Sequence, residues 1–117
     1  MALTLQTKVS GDVFVLHCDG RIVFGDEGAA LRERVRNLLK GSPKIVVNLA
    51  SVEHIDSEGL GILVGLFTSA KNRGGEIKLV SPNNHVQSAL HRTTLDRVFA
   101  VYGNDDEAVA AFQEHVA

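Results

Sequence analysis

Residues 3–9, LTLQTKV, alternate apolar and polar positions, the two-residue period of a half-buried strand. Ser10-Gly11-Asp12 is turn chemistry, and VFVLHC (13–18) is rich in strand formers, so the two runs predict a hairpin. Asp19-Gly20 is read as a break, and RIVF (21–24) as a third short strand. The period then changes. Leu31, Val35, Leu38 and Leu39 recur on one helical face, with Asp26 as the expected cap and Gly41 and Pro43 as the stop. KIVVNLA (44–50) is apolar on both faces, as in the middle of a sheet. SVEHI (51–55) is read as a connection. From Ser57 the helical period returns, carried by Leu60, Leu63, Phe67 and Ala70, and Gly74-Gly75 ends it. EIKLVS (76–81) predicts a strand, 82–90 a helical stretch, RVFAVY (97–102) a last short strand and 104–116 a final helix.

The predicted order is β-β-β-α-β-α-β-α-β-α. Strand-helix alternation after residue 25 implies right-handed crossovers and a largely parallel sheet, while the opening hairpin adds an antiparallel pair. The fold class is therefore α/β: a mixed, mostly parallel sheet with an N-terminal hairpin and about four helices, read as one domain over residues 1–117.

One stretch fits neither period. HIDSEGLGIL (54–63) puts a polar knot between two apolar segments. It falls at the carboxyl end of a predicted central strand, where functional residues collect in open α/β sheets. Asp56 and Ser57 are both favoured at helix starts. Capping alone does not need the glycines. Gly59 and Gly61 in a first turn cost about 1 kcal/mol each against alanine, which points to close approach of the sheet or of a partner.

Composition narrows the options. Twelve basic against fourteen acidic residues give a net charge of −2, against the basic excess of nucleic-acid binders. The densest basic cluster, Arg32, Arg34 and Arg36, reads as the solvated side of a helix. Cys18 is alone, so no intramolecular disulfide is expected, in keeping with a reducing cytoplasm. No apolar run is long enough for membrane insertion, and the N-terminus shows no secretory pattern. His17, His54, His85, His91 and His115 have no metal-ligand spacing. HIDSEG is not the serine-hydrolase elbow, and no Gly-Lys-Ser/Thr follows the glycines. No cofactor is called for, and Thr93-Thr94 reads as loop.

The knot resembles the signature of the STAS domain family, in particular the anti-sigma factor antagonists. That signature is Asp-Ser-small-Gly-Leu-Gly after a strand like IVVNLA and a V-x-x-I/M link. Here it stands as Val52, Ile55, Asp56, Ser57, Glu58, Gly59, Leu60 and Gly61. Gly20-Arg21-Ile22 resembles the family's entry to its third strand, and residues 74–112 resemble its C-terminal half.

The resemblance implies a non-enzymatic cytoplasmic regulator of sigma-factor-dependent transcription in bacteria. Ser57 is implied as the phosphoacceptor, a GHKL-type anti-sigma factor kinase as the partner, and a PPM-type phosphatase as the resetting enzyme. Asp56, Glu58, Gly59 and Leu60 are the implied partner-facing residues, with Phe24 and Asp26 from the neighbouring loop. Two positions depart from the pattern. Glu58 replaces the usual Ser or Ala, and Asp26 lies beyond the usual acidic position, which is taken by Val23-Phe24-Gly25. Phe24 is read either as an apolar anchor or, the more ordinary role, as a core residue. The alternative within the same fold is a scaffold or regulatory subunit of a stress-signalling complex or of a lipid or anion transport system.

Overall fold

The computed structural model describes residues 3–113. The elements run β1 (Thr4–Ser10), β2 (Val13–Ile22), α1 (Asp26–Leu39), β3 (Lys44–Ile55), α2 (Ser57–Asn72), β4 (Glu76–Val80), α3 (Asn84–Arg92), a short 3-10 turn (Leu95–Arg97), β5 (Val101–Tyr102) and α4 (Asp105–Gln113). The strands form one sheet in the order β1-β2-β3-β4-β5. β1 is antiparallel to β2, and every other neighbouring pair is parallel. The α/β class and the mixed sheet expected from the pattern are both present.

Each central strand buries both faces, because helices cover both sides of the sheet. On one side Leu16, Cys18, Ile45, Val47, Leu49, Ile77 and Leu79 meet the apolar faces of α1, α2 and α3. On the other, Val13, Val15, Val46 and Val80 meet Ala108 and Val109 of α4. A polar bond set fixes α4 there: the Asp105 carboxylate is 2.6 Å from His17 Nε2 and accepts from Asn48 Nδ2 at 2.8 Å.

Four local expectations are corrected. Asp19-Gly20 does not break the chain. β2 runs through it, and the irregularity is absorbed as register shifts between His17 and Asp19 and between Gly20 and Arg21, with Gly20 at φ 126°. SVEHI is not a connection. It prolongs β3, pairing Ser51, Val52, His54 and Ile55 with Asp19, Gly20, Arg21 and Ile22 of β2. Asp26 does not cap α1. It is the first helical residue, and Gly25, at φ 106°, takes the cap position with no side-chain bond. Finally, 97–102 is not all strand: only Val101 and Tyr102 pair, and Phe99 is buried without joining the sheet.

β1 is also more exposed than its alternation predicts, with only Leu5 half-buried. It lies at the sheet edge, so it has a neighbour on one side only. The predicted final helix runs to Gln113, and its expected end at 114–116 lies outside the described residues. Among the described residues no helix is long and apolar enough to cross a membrane.

Candidate functional site at the start of α2

The parallel strands β2 and β3 end side by side, with Ile22 opposite Ile55. Their two exits, residues 23–25 and Asp56, therefore meet at one edge of the sheet. The Asp56 N–H donates to the Ile22 carbonyl at 3.3 Å, and the Gly28 N–H to the Val23 carbonyl at 3.0 Å.

Asp56 is the N-cap of α2. Its Oδ1 accepts from the Gly59 N–H at 2.8 Å, and its Oδ2 accepts from the Phe24 N–H at 3.0 Å. One carboxylate thus satisfies a first-turn donor of the helix and fastens the neighbouring loop. Partial burial pushes the Asp56 pKa up. The hydrogen bonds from Phe24 and Gly59, with the nearby His54, outweigh this, and the carboxyl lies below its usual range.

Ser57 is the first residue of α2 and is exposed, as is Glu58 beside it. The first turn of a helix has N–H groups with no partner within the helix. Here the Asp56 side chain engages that of Gly59, while its backbone carbonyl accepts the first helical bond, from Leu60, at 2.9 Å. Those of Ser57 and Glu58 stay at the open end, beside the Ser57 hydroxyl.

The remaining predicted residues divide between surface and core. Phe24 is not in the core: it is 75% exposed, because the Asp56–Phe24 bond holds its backbone at the rim. Asp26 is exposed one residue beyond Gly25. Gly59 and Leu60 turn inward. Leu60 is 8% exposed, and a Cβ built on Gly59 would stand 2.1 Å from the Ile22 carbonyl oxygen. The glycine therefore lets α2 begin against the end of β2. Gly61 is different, since a Cβ there meets nothing within 4 Å.

The structure adds two features that the sequence reading did not assign. The imidazoles of His54 and His85 stack with centroids 4.6 Å apart, joining the end of β3 to α3 beside the site. Their separation in sequence leaves no local signal for this. In addition, Arg32 and Arg36 of α1 share a cleft of about 430 Å³ with Ser57 and Glu58. Their one-turn spacing was visible in the sequence; the helix they face was not. Cys18 offers no chemistry here, since burial pushes its thiol up to about 12. Among the described residues no group of three or more potential metal ligands comes together.

A domain of this topology, with a capped Asp-Ser start on the helix after its central strand, has a family. The STAS domain family matches residues 4–108, and the chain belongs to it. The TM1081 homolog of Thermotoga neapolitana is 42% identical over 76 residues, covering 65% of this chain and 67% of that protein. The anti-sigma-B factor antagonist of Bacillus subtilis is 39% identical over 75 residues, covering 64% of this chain and 60% of that one. A crystal structure of TM1081 from Thermotoga maritima superposes with a TM-score of 0.87 at 31% identity, over 94% of this chain and 95% of the other.

Proposed function

We propose that this chain is an anti-sigma factor antagonist: a binding protein, not an enzyme, that engages a GHKL-type anti-sigma factor kinase in the bacterial cytoplasm and is released when Ser57 is phosphorylated. A PPM-type phosphatase resets it. The observation that carries this reading is the placement of Ser57: an exposed hydroxyl at the first position of α2, on a cap that Asp56 holds independently of it. The names of the relatives agree, the Bacillus subtilis protein being called an anti-sigma-B factor antagonist.

The physics follows from the geometry. A phosphate on Ser57 adds about −1.5 to −2 charges at neutral pH. The helix N-terminus, with its positive dipole end and free N–H groups, tolerates that anion, so the fold survives. A docked partner meets something else. Glu58 and Asp56 already make the rim acidic, and juxtaposed like charges at an interface cost several kcal/mol. Each ~1.4 kcal/mol is a tenfold loss of affinity, so a modest repulsion empties the complex. Exposed Phe24, fixed to Asp56, supplies an apolar contact on the same rim.

The test is to incubate the purified chain with the GHKL kinases of its source organism and ATP, and to map phosphate by mass spectrometry. Phosphate on Ser57, lost in Ser57→Ala while that variant still binds the kinase and resists release by ATP, is the expected result. Phosphate elsewhere and none on Ser57 refutes the reading.

A further inference from the structure

Gly61 and Gly65 lie one helical turn apart on the exposed face of α2, and a Cβ at either would meet nothing within 4 Å. The packing of the chain itself therefore gives no reason for either glycine, although each weakens the helix relative to alanine. Ser69 continues the line one turn further on. Eight steps of about 1.5 Å from Gly61 to Ser69 make this a smooth furrow roughly 12 Å long. α1 supplies the opposite wall of the same cleft with Arg32 and Arg36, again one turn apart and exposed. Neither arginine belongs to any ion pair found among the described residues: those join His17 to Asp105, Lys44 to Asp12, Lys71 and Lys78 to Glu76, and His91 to Asp96. Arg34, between them, is used internally, bonding the Leu5 carbonyl and Thr7 of β1. Ser57 and Glu58 also line the cleft, from the first turn of α2.

Both walls thus repeat once per helical turn, and one of them has two unpaired guanidinium groups. A helix laid in the furrow presents ridges at that period, and glycines let its backbone approach closely. Carboxylates four residues apart on such a helix meet arginines four residues apart on α1. We propose that the α1–α2 cleft seats an acidic helix of the protein partner, lying along Gly61 and Gly65 with two carboxylates on Arg32 and Arg36. The inference rests on the reading of this chain as a switched binding protein and says which surface and which charge the partner brings. It also gives phosphorylation a second mode of action: a phosphate on Ser57 enters the cleft that the acidic helix occupies and repels its carboxylates.

The probe is the GHKL kinase that binds the wild-type chain, with affinity read by calorimetry. Gly65→Leu fills the furrow and Arg32→Glu/Arg36→Glu reverses its charge; Arg92→Glu on the exposed face of α3 is the control. The first two are expected to weaken binding by about tenfold or more, and the control by less than about twofold. Raising salt from about 0.05 to 0.5 M should shrink the effect of the arginine reversal and leave that of Gly65→Leu in place. Gly65→Leu replaces a solvent-facing helical glycine with a strong helix former, so its melting temperature should equal or exceed wild type. Wild-type binding that neither variant alters overturns the cleft and leaves the proposed function standing. No kinase binding by the wild-type chain overturns both. A dimer of the chain alone, seen by sedimentation and broken by Gly65→Leu, assigns the cleft to a second copy and overturns the acidic partner.

Discussion

Gly59 and Gly61 stand two residues apart in one motif, and the structure assigns opposite signs to their replacement by alanine. At Gly61 the new methyl enters open space. The only change is helix propensity, about 0.8–1 kcal/mol in favour of alanine. At Gly59 the methyl carbon would stand 2.1 Å from the Ile22 carbonyl oxygen and 2.9 Å from Ile55 Cγ1. The first of these is backbone in a paired strand and cannot swing aside, so α2 must shift off the end of β2. Overpacking of this kind costs about 1–3 kcal/mol, and a rigid obstacle places it at the upper end. Subtracting the propensity gain leaves about 2 kcal/mol of net destabilisation. For a chain of this size 1 kcal/mol moves the melting temperature by about 4 °C. Gly61→Ala should therefore melt about 4 °C higher and Gly59→Ala about 8 °C lower, by circular dichroism at pH 7. A Gly59→Ala protein as stable as wild type would refute the close approach of α2 to Ile22, and with it the structural role given to this glycine.

Other outcomes follow from the same edge. Asp56→Ala removes the α2 cap and the tie to Phe24, and should lower stability by about 1–2 kcal/mol in urea titration, with Asp56→Asn losing less. The Asp56 carboxyl lies below the ordinary aspartate value of 3.8 in the folded state, so the unfolded chain binds the proton more readily. Its stabilising contribution is complete above that value and fades as pH falls through the folded one. Wild type should thus lose more stability than Asp56→Asn between about pH 5 and 2, and equal losses would remove this assignment. Ser57→Asp should melt within about 4 °C of wild type, because an anion at the first helical position is tolerated; a collapse would show the hydroxyl to be structural. Leu63→Ala, at a fully buried position of α2, should cost about 2–5 kcal/mol by denaturant unfolding.

The parts of the fold legible in the sequence were those with a repeating period. Leu31, Val35 and Leu39 were readable as the buried stripe of α1, and 44–50 as a strand covered on both sides. Interruptions were harder to read. Asp19-Gly20 has the composition of a turn, yet a strand held by β1 as far as Asp19 and by β3 on to Ile22 can carry a glycine as a bulge. SVEHI has polar residues at Glu53 and His54, and nothing local shows that β2 continues beside it. Within the site, Asp56 and Ser57 were legible because capping is a local matter. Whether a glycine faces a carbonyl or open water is not local, so Gly59 and Gly61 looked alike. Phe24 misled for a related reason: an aromatic after Ile22-Val23 looks like core, and only the bond from its own N–H to Asp56 shows why it stays outside.

β3 is joined to β4 only from Lys44 to Asn48, whereas β2 stays beside it as far as Ile55. The last residues before Asp56 thus form a two-stranded ribbon reaching past β4, held to α3 by the bond from Asn83 Nδ2 to the Val52 carbonyl and by the His54–His85 stack. Amides in that ribbon have half the lateral support of those near Val46 and open at lower free energy. Ser57, proposed above as the phosphoacceptor, is carried at the tip of a jetty. Whatever moors there should slow deuterium uptake along 51–55 more than anywhere in the sheet interior, so that occupancy of the site is recorded in the backbone that holds it.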